Sequence, residues 1–420
     1  MKKQINVPSI IFSRFNEDSS WKSKKFKELL DPTEGIRRGP FGSALKKELF
    51  VQNSEYVVYE QQNAIYDHFN TRYRISEEKY HELKKFMLLP GDFIMSGAGT
   101  IGKISLVPEG IEKGVFNQAL IRLRVNKNTD KEFFLQWMRS PEMQNKLTKA
   151  NPASAMVNLV PMSEVKEWDV IVPSFHEQSA IGSLFRTLDD LLASYKDNLA
   201  NYQSFKETML FKMFPKAGQT VPEIRLDGFD GEWEKSKLKD VAHRVQGNDG
   251  RMDLPTLTIS ASGGWMDQID RFSANIAGKE QKNYTLLKKG ELSYNHGNSK
   301  LAKYGVVFEL QKYEEALVPK VYHSFRVNQL ADSKFIEIMF STKIPDRELG
   351  KLISSGARMD GLLNISFDDF MNISIIIPTI KEQQAISAYF STLDNLINSH
   401  QEKISQLETL KKKLLQDMFI

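Results

Sequence analysis

Residues 171–192, IVPSFHEQSAIGSLFRTLDDLL, return without a gap as residues 376–397, IIPTIKEQQAISAYFSTLDNLI, at a constant offset of 205 (171 to 376). The two copies agree at Pro173/Pro378, Glu177-Gln178/Glu382-Gln383, Ala180-Ile181/Ala385-Ile386, Phe185/Phe390 and Thr187-Leu188-Asp189/Thr392-Leu393-Asp394. The offset holds to the end of the chain, where Met213-Phe214 is matched by Met418-Phe419. A duplication this wide restricts the chain to folds in which one scaffold is used twice.

Each copy predicts a helix. Pro173 or Pro378 closes a β-branched apolar stretch, and Ser174-x-x-Glu177 or Thr379-x-x-Glu382 follows as a capping box, with hydroxyl and carboxylate meeting the orphan N–H groups of the first turn. Behind the box, apolar residues fall at alternating steps of four and three: Ile181, Phe185, Leu188, Leu192, Tyr195, Leu199 and Tyr202 in one copy, Ile386, Phe390, Leu393, Ile397, His400, Ile404 and Leu407 in the other. That is the 3.5-residue period of a coiled-coil seam. Both helices are expected to run to near Phe214 and Phe419, about 60 Å each at 1.5 Å per residue. Two rods with one narrow stripe each are expected to pack on one another. The alternative is two unrelated helices in separate cores.

Between the rods lie two stretches of about 150 residues, one ordinary domain each. Their openings are also repeated: Phe15 and Trp21-Lys-Ser-Lys-Lys-Phe26 resemble Phe229 and Trp233-Glu-Lys-Ser-Lys-Leu238, now at an offset of 212 (21 to 233), and beyond this point the residues diverge. The four aromatic residues are expected to anchor the cores. In the first interior, Tyr56–Tyr59, Lys103–Val107 and Ala119–Val125 read as strands and Lys131–Arg139 as a helix. In the second, Leu254–Ser260, Gly305–Leu310 and Phe325–Asn328 read as strands, and Phe335–Phe340 as helix or strand. Each lobe is therefore expected to be α+β. A scaffold is kept while its payload varies.

No apolar run approaches the roughly 18–20 residues of a membrane span. The N-terminus offers only the patch Ile10-Ile11-Phe12, so no signal peptide is expected. Zero cysteines exclude disulfides, cysteine-based zinc sites and thiol catalysis, and a soluble, cytoplasmic protein is the expectation. A net charge of +4 permits nucleic-acid binding if the cations are focused on one face.

Several catalytic signatures are present only in part. Gly97-Ala-Gly-Thr-Ile-Gly102-Lys103 has P-loop spacing, but Ile104 stands where a Ser or Thr should hold magnesium, and a strand follows instead of a helix. Asn151-Pro152-Ala153-Ser154 lacks the second proline and the aromatic ring of an adenine-methyltransferase loop. Pro345-Asp346 is followed by no Asp/Glu-x-Lys, as a nuclease would require. The seven histidines show no metal-ligand spacing, and His296 and His323 read as satisfied structural residues rather than ligands. No catalytic residue, metal site or cofactor site is expected in this chain.

The doubled unit, opened by Phe229…Trp233…Lys and closed by Ile-Pro-x-x-x-Glu-Gln-x-x-Ile and a Leu-Asp helix, resembles the specificity subunit of type I restriction–modification enzymes. Gly39-Pro-Phe-Gly-Ser43 and Gly99-Thr-Ile-Gly-Lys103 also resemble segments common in that family's recognition domains. The first opening departs from the pattern in lacking the Arg225-Leu-Asp-Gly228 spacing, and the nearest counterpart of Gly-Thr-Ile-Gly-Lys in the second lobe is Gly290–Lys300. The resemblance implies an N-terminal segment at 1–20, a first target recognition domain at 21–170, a central repeat helix at 171–216 and a linker at 217–230. A second target recognition domain at 231–375 and a C-terminal repeat helix at 376–420 complete the layout.

By that resemblance each lobe reads one half of a bipartite, asymmetric site on double-stranded DNA, and the two long helices pack as an intramolecular antiparallel coiled coil that fixes the gap. Two modification subunits would bring S-adenosylmethionine, and restriction subunits would bring ATP and magnesium. Two alternatives are a related type II specificity subunit and an interaction protein that tethers two ligand-binding lobes without DNA. Candidate DNA contacts in the first lobe are Arg37, Arg38, Gly39, Phe41, Gly42, Ser43, Ser96, Thr100, Lys103, Asn117 and Gln118, where glycines permit close approach and arginines grip phosphate or guanine. In the second they are Asn248, Arg251, Ser260, Ser262, Asn295, His296, Asn298, Ser299 and Lys300.

Overall fold

A computed structural model describes residues 8–15, 21–97, 100–149, 161–272, 278–297, 299–353 and 362–419. Asn151–Ser154, Ala98-Gly99 and Asn298 lie outside the described residues. The chain forms two compact units, Met1–Asp197 with Glu402–Ile420, and Asn198–Gln401, so both unit boundaries fall inside the long helices Phe175–Lys212 and Ile380–Asp417.

The first unit's strands are β1 (Lys22–Lys25), β2 (Ile36–Arg38), β3 (Phe50–Val51), β4 (Tyr56–Tyr59), β5 (Tyr73–Ile75), β6 (Phe93–Ser96), β7 (Ile104–Leu106), β8 (Gly114–Phe116), β9 (Leu120–Leu123) and β10 (Asp169–Val172). The second unit's are β11 (Glu234–Lys237), β12 (Ala242–Arg244), β13 (Leu257–Ser260), β14 (Gly264–Asp267), β15 (Thr285–Lys288), β16 (Leu292–Asn295), β17 (Val306–Glu309), β18 (Glu315–Val318), β19 (His323–Val327) and β20 (Ser374–Ile377). The expected strands all occur, and Phe335–Phe340 falls within the helix Ser333–Ser341.

Each lobe is closed at its root by an antiparallel ribbon of opening on exit: β1 on β10 in one, β11 on β20 in the other. Each contains one antiparallel four-stranded sheet of the same order, β2-β9-β6-β7 and β12-β19-β16-β17. The β6–β7 and β16–β17 hairpins of these sheets open in the same way. Gly91 (φ 86°) donates to the Val107 carbonyl, and Gly290 (φ 84°) to that of Leu310, in a left-handed conformation that favours glycine. The Gly290–Leu310 hairpin is thus the second lobe's counterpart of Gly91–Val107, although their turns share almost no residues. The lobes diverge outside this frame: the first adds the sheet β3-β5-β4-β8, the second the pairs β13-β14 and β15-β18.

The repeated residues explain themselves at the lobe–helix junctions. Gln178 accepts the Asp130 N–H (3.0 Å) and donates to the Pro173 carbonyl, while Asp130 caps the helix Lys131–Arg139 through the Phe133 N–H. Gln383 does the same with Asp332 (2.9 Å) and Pro378, and Asp332 caps Ser333–Ser341 through Phe335. The repeated glutamine therefore locks a lobe helix to the root of a long helix.

The repeated glutamate is not a full capping box. Ser174 and Thr379 do accept from the Glu177 and Glu382 N–H groups, but both carboxylates are buried and engaged elsewhere. Glu177 accepts from Trp21 Nε1 (3.2 Å), and Glu382 takes a bidentate grip from Arg225, both bonds 2.7 Å. Arg225 also donates to the Asp230 and Gly231 carbonyls. This is what the Arg-Leu-Asp-Gly spacing of the second opening builds and the first lacks. The stretch 217–230, expected as a linker, is thus packed structure. Trp21 and Trp233 are core residues as expected, whereas Phe15 and Phe229 are only half-buried.

Seam residues Ile181, Phe185 and Leu188 share one core with Met418 and Phe419, and Ile386, Phe390 and Leu393 share another with Met213 and Phe214. The Met-Phe at the end of each long helix therefore plugs the start of the other, which makes the pairing antiparallel within each unit. Leu192 and Ile397 are buried, and Leu199 and Ile404, farther from the lobes, are half-buried. There the contacts turn polar and aromatic: Lys411 pairs with Asp189 and Lys196 with Glu408 (2.7 Å) in the first unit, Lys206 with Asp394 and Tyr202 with His400 (rings 5.1 Å apart) in the second. Ile10 donates to the Asp417 carbonyl and Ile224 to that of Lys212, so the segment that precedes each lobe docks on the end of a long helix in the same way.

Candidate nucleic-acid interface

In β2-β9-β6-β7 every neighbour is antiparallel, so the last residue of β2, the first of β9, the last of β6 and the first of β7 emerge at one end of the sheet. Three segments far apart in sequence meet there. Gly39 donates to the Leu120 carbonyl (3.0 Å), Gly97 to that of Ala119 (2.7 Å), and Ser96 to that of Lys103 (2.8 Å). A β-carbon on Gly39 would lie 1.9 Å from the Asn117 oxygen, so only glycine allows this approach. Arg38, Phe41, Gly42, Ser43, Thr100, Lys103 and Gln118 are exposed at this end, with Asn117 half-buried beneath. A cleft of about 910 Å³ opens here, lined among others by Arg38, Phe41, Ser43, Lys85, Phe86 and Gln118.

Two first-lobe candidates do not face outward. Ser96 is fully buried, and its hydroxyl accepts the Lys103 N–H (3.0 Å), which makes it the clasp of the β6–β7 turn. Arg37 is bound to Glu34 (2.8 Å), whose carboxyl is held below its usual range by Arg122 first and Arg37 second. A guanidinium so engaged is not free for phosphate.

The same end of β12-β19-β16-β17 organises the second lobe. Arg244 ends β12 as Arg38 ends β2, exposed, with its guanidinium 4.4 Å above the Phe367 ring. With the exposed residues Gln246, Lys282 and Lys320 it lines a cleft of about 490 Å³. None of these four is among the sequence candidates. Their signal is topological: Arg38 lies seventeen residues beyond Trp21 but Arg244 only eleven beyond Trp233, so spacing conceals the match that the register reveals.

Several second-lobe candidates prove to be internal fixtures. Asn248 donates to the Arg251 and Gln281 carbonyls and holds its own turn. Arg251 is shared between Asp249 and Glu315, which hold its guanidinium firmly protonated. Asn295 bonds the Ile259 carbonyl and the Gly297 N–H. His296 is buried, its Nδ1 2.8 Å from the Leu363 oxygen and its Nε2 3.0 Å from that of Val321, and it stacks on His323 at 4.7 Å. Burial pushes His323 down to about 4. Ser299 closes a turn onto Ala302, while Ser260 and Ser262 face one another (3.3 Å) in the β13–β14 turn. Lys300 remains exposed.

Among the described residues no cluster of metal-ligating side chains occurs, and no helix is long and apolar enough to cross a membrane. A family model of the type I restriction modification DNA specificity domain matches residues 19–201 and matches again at 230–409. The chain belongs to this family. It carries two such domains in tandem, each with its own sheet and its own junction to the long helices. It is similar to the type I restriction enzyme MjaVIII specificity subunit of Methanocaldococcus jannaschii, 18% identical with 97% of this chain and 96% of the relative covered. The putative MjaX specificity subunit of the same organism is 19% identical, with 81% and 80% covered. Among solved structures, the type I restriction–modification S subunit from M. genitalium shares the fold, with a TM-score of 0.57 over 99% of both chains at 14% identity.

Proposed function

We propose that each lobe reads one half of a bipartite, asymmetric DNA site through the sheet end described above, and that the paired helices set the unread gap and dock two modification subunits. The observation that carries this reading is the recurrence of one exposed, basic sheet end in both lobes: Arg38, Lys103 and Gln118 in the first, Arg244, Lys282 and Lys320 in the second. Cations of this kind grip phosphates, and the amides beside them suit base edges. In this reading the chain is a non-catalytic, cytoplasmic subunit. S-adenosylmethionine, ATP and magnesium belong to its modification and restriction partners.

The test is an exchange. Replacing residues 22–170 by the equivalent segment of a homologue, then sequencing the methylome of cells that also express the modification subunit, should change one half of the methylated motif and leave the other half and the gap intact. A heptad inserted into each rod should lengthen the gap by about three base pairs, since seven residues add about 10 Å. An exchange that alters both half-sites would overturn the modular reading. Affinity that does not fall between 50 and 200 mM salt would point to a ligand other than DNA.

A further inference from the structure

Phe41 is the most solvent-exposed large apolar side chain among the described residues, 89% exposed, in a molecule whose other aromatic rings are mostly buried or half-buried. Its position is built rather than loose. Gly39 is jammed against the Asn117 backbone, Pro40 is buried, Ala44 donates to the Phe41 carbonyl (2.8 Å), and the single turn Gly42–Leu45 ends on buried Leu45. The ring lines the 910 Å³ cleft together with buried Leu83 and Phe86 and the exposed cations Arg38 and Lys85. An exposed apolar ring sharing a cleft with two cations complements one kind of ligand: a flat, apolar nucleobase face carried on an anionic backbone.

We infer that Phe41 is a wedge that enters the duplex between two base pairs of the half-site read by the first lobe, with Arg38 and Lys85 on the adjoining phosphates. This rests on the DNA-reading function proposed above. Insertion of an apolar side chain unstacks a step and rewards sequences that unstack at low cost, so Phe41 contributes specificity without hydrogen-bonding a base. The second lobe offers no aromatic at its matching turn, Val245–Asn248, so the wedge belongs to one half-site only.

The experiment uses the full chain assembled with its modification subunits, on duplexes bearing the methylome-derived motif with 2-aminopurine placed at each first-lobe position in turn, the methylated adenine left unlabelled. Wild type should brighten the probe at one step. Phe41→Ala should abolish that signal and weaken binding roughly 10- to 100-fold, the loss of one base–aromatic stack, with an unchanged salt slope, while Phe41→Trp retains both. An exposed side chain leaves the fold intact, which an unchanged melting temperature will verify. A probe signal that survives in Phe41→Ala, or affinity within twofold of wild type, overturns the wedge alone. Loss of subunit assembly would make Phe41 a protein contact and overturn it equally. Failure of the wild-type complex to bind the duplex removes the DNA reading itself.

Discussion

Arg225→Ala tests the junction that distinguishes the two repeats. Glu382 is 1% exposed and its two oxygens are each held at 2.7 Å by Arg225, whose remaining donors reach the Asp230 and Gly231 carbonyls. Removing one partner of a buried pair strands the other charge, at a cost of about 3–5 kcal/mol. Two lost carbonyl bonds add to this at about 1 kcal/mol each. Glu177, at the same repeat position, accepts from Trp21 Nε1, and burial pushes its carboxyl above the usual range. A glutamine oxygen there can accept the same indole N–H, so Glu177→Gln should cost about 1 kcal/mol or less. Glu382→Gln should cost clearly more, because an amide cannot satisfy a bidentate guanidinium. Guanidinium unfolding of the full chain gives the magnitudes, and amide exchange in β11 and β20 assigns the loss to the second lobe. Refutation would be an Arg225→Ala variant within 1 kcal/mol of wild type, or Glu382→Gln no worse than Glu177→Gln.

Leu188→Asp and Leu393→Asp each put an unpaired charge into a buried seam position and should cost about 3–5 kcal/mol and impair assembly with modification subunits; normal melting and assembly would disprove the paired-helix core. Burial raises the Asp346 carboxyl to about 6, so folding takes up a proton there, and this group's contribution to stability should fall by about 1–2 kcal/mol, after solvent screening, as pH rises from about 4 to about 6. In wild type this offsets the opposite slope of His323, whose depressed value of about 4 makes stability fall as pH drops from 6.5 toward 4, so Asp346→Asn should steepen the rise of stability with pH between about 4 and 6; parallel pH–stability curves for the two proteins would contradict the Asp346 assignment, and a variant whose stability does not rise over that range would contradict that of His323. The purified chain should show no methyltransferase, ATPase or nuclease activity, and Lys103→Ala should weaken DNA binding alone; ATP binding abolished by that substitution would restore the P-loop reading.

What the sequence disclosed follows from how local each signal is. The seam at Ile181, Phe185 and Leu188 is periodic along one helix, so its burial could be read without knowing what covers it. The Met-Phe pairs at the helix ends were visible as a repeat, yet their role as plugs depends on antiparallel pairing that no spacing states. Glu177 and Glu382 have the spacing of a capping box, but Trp21 and Arg225, over 150 residues away, compete successfully for their carboxylates. The residues at the exposed sheet ends were hardest to read for the same reason. Ser96, Arg37, Arg251 and His296 have the polar character of readers and are each taken up by a neighbour that the fold supplies. Arg244, Lys282 and Lys320 belong to no motif and gain their position only because antiparallel strands bring the carboxyl end of β12 beside the amino end of β19. In the proposed reading, recognition is a property of where strands end. Turns at those ends can therefore change freely while the ribbon, the capping aspartate and the repeated glutamine hold them in place, and two lobes with one frame can carry unlike turns.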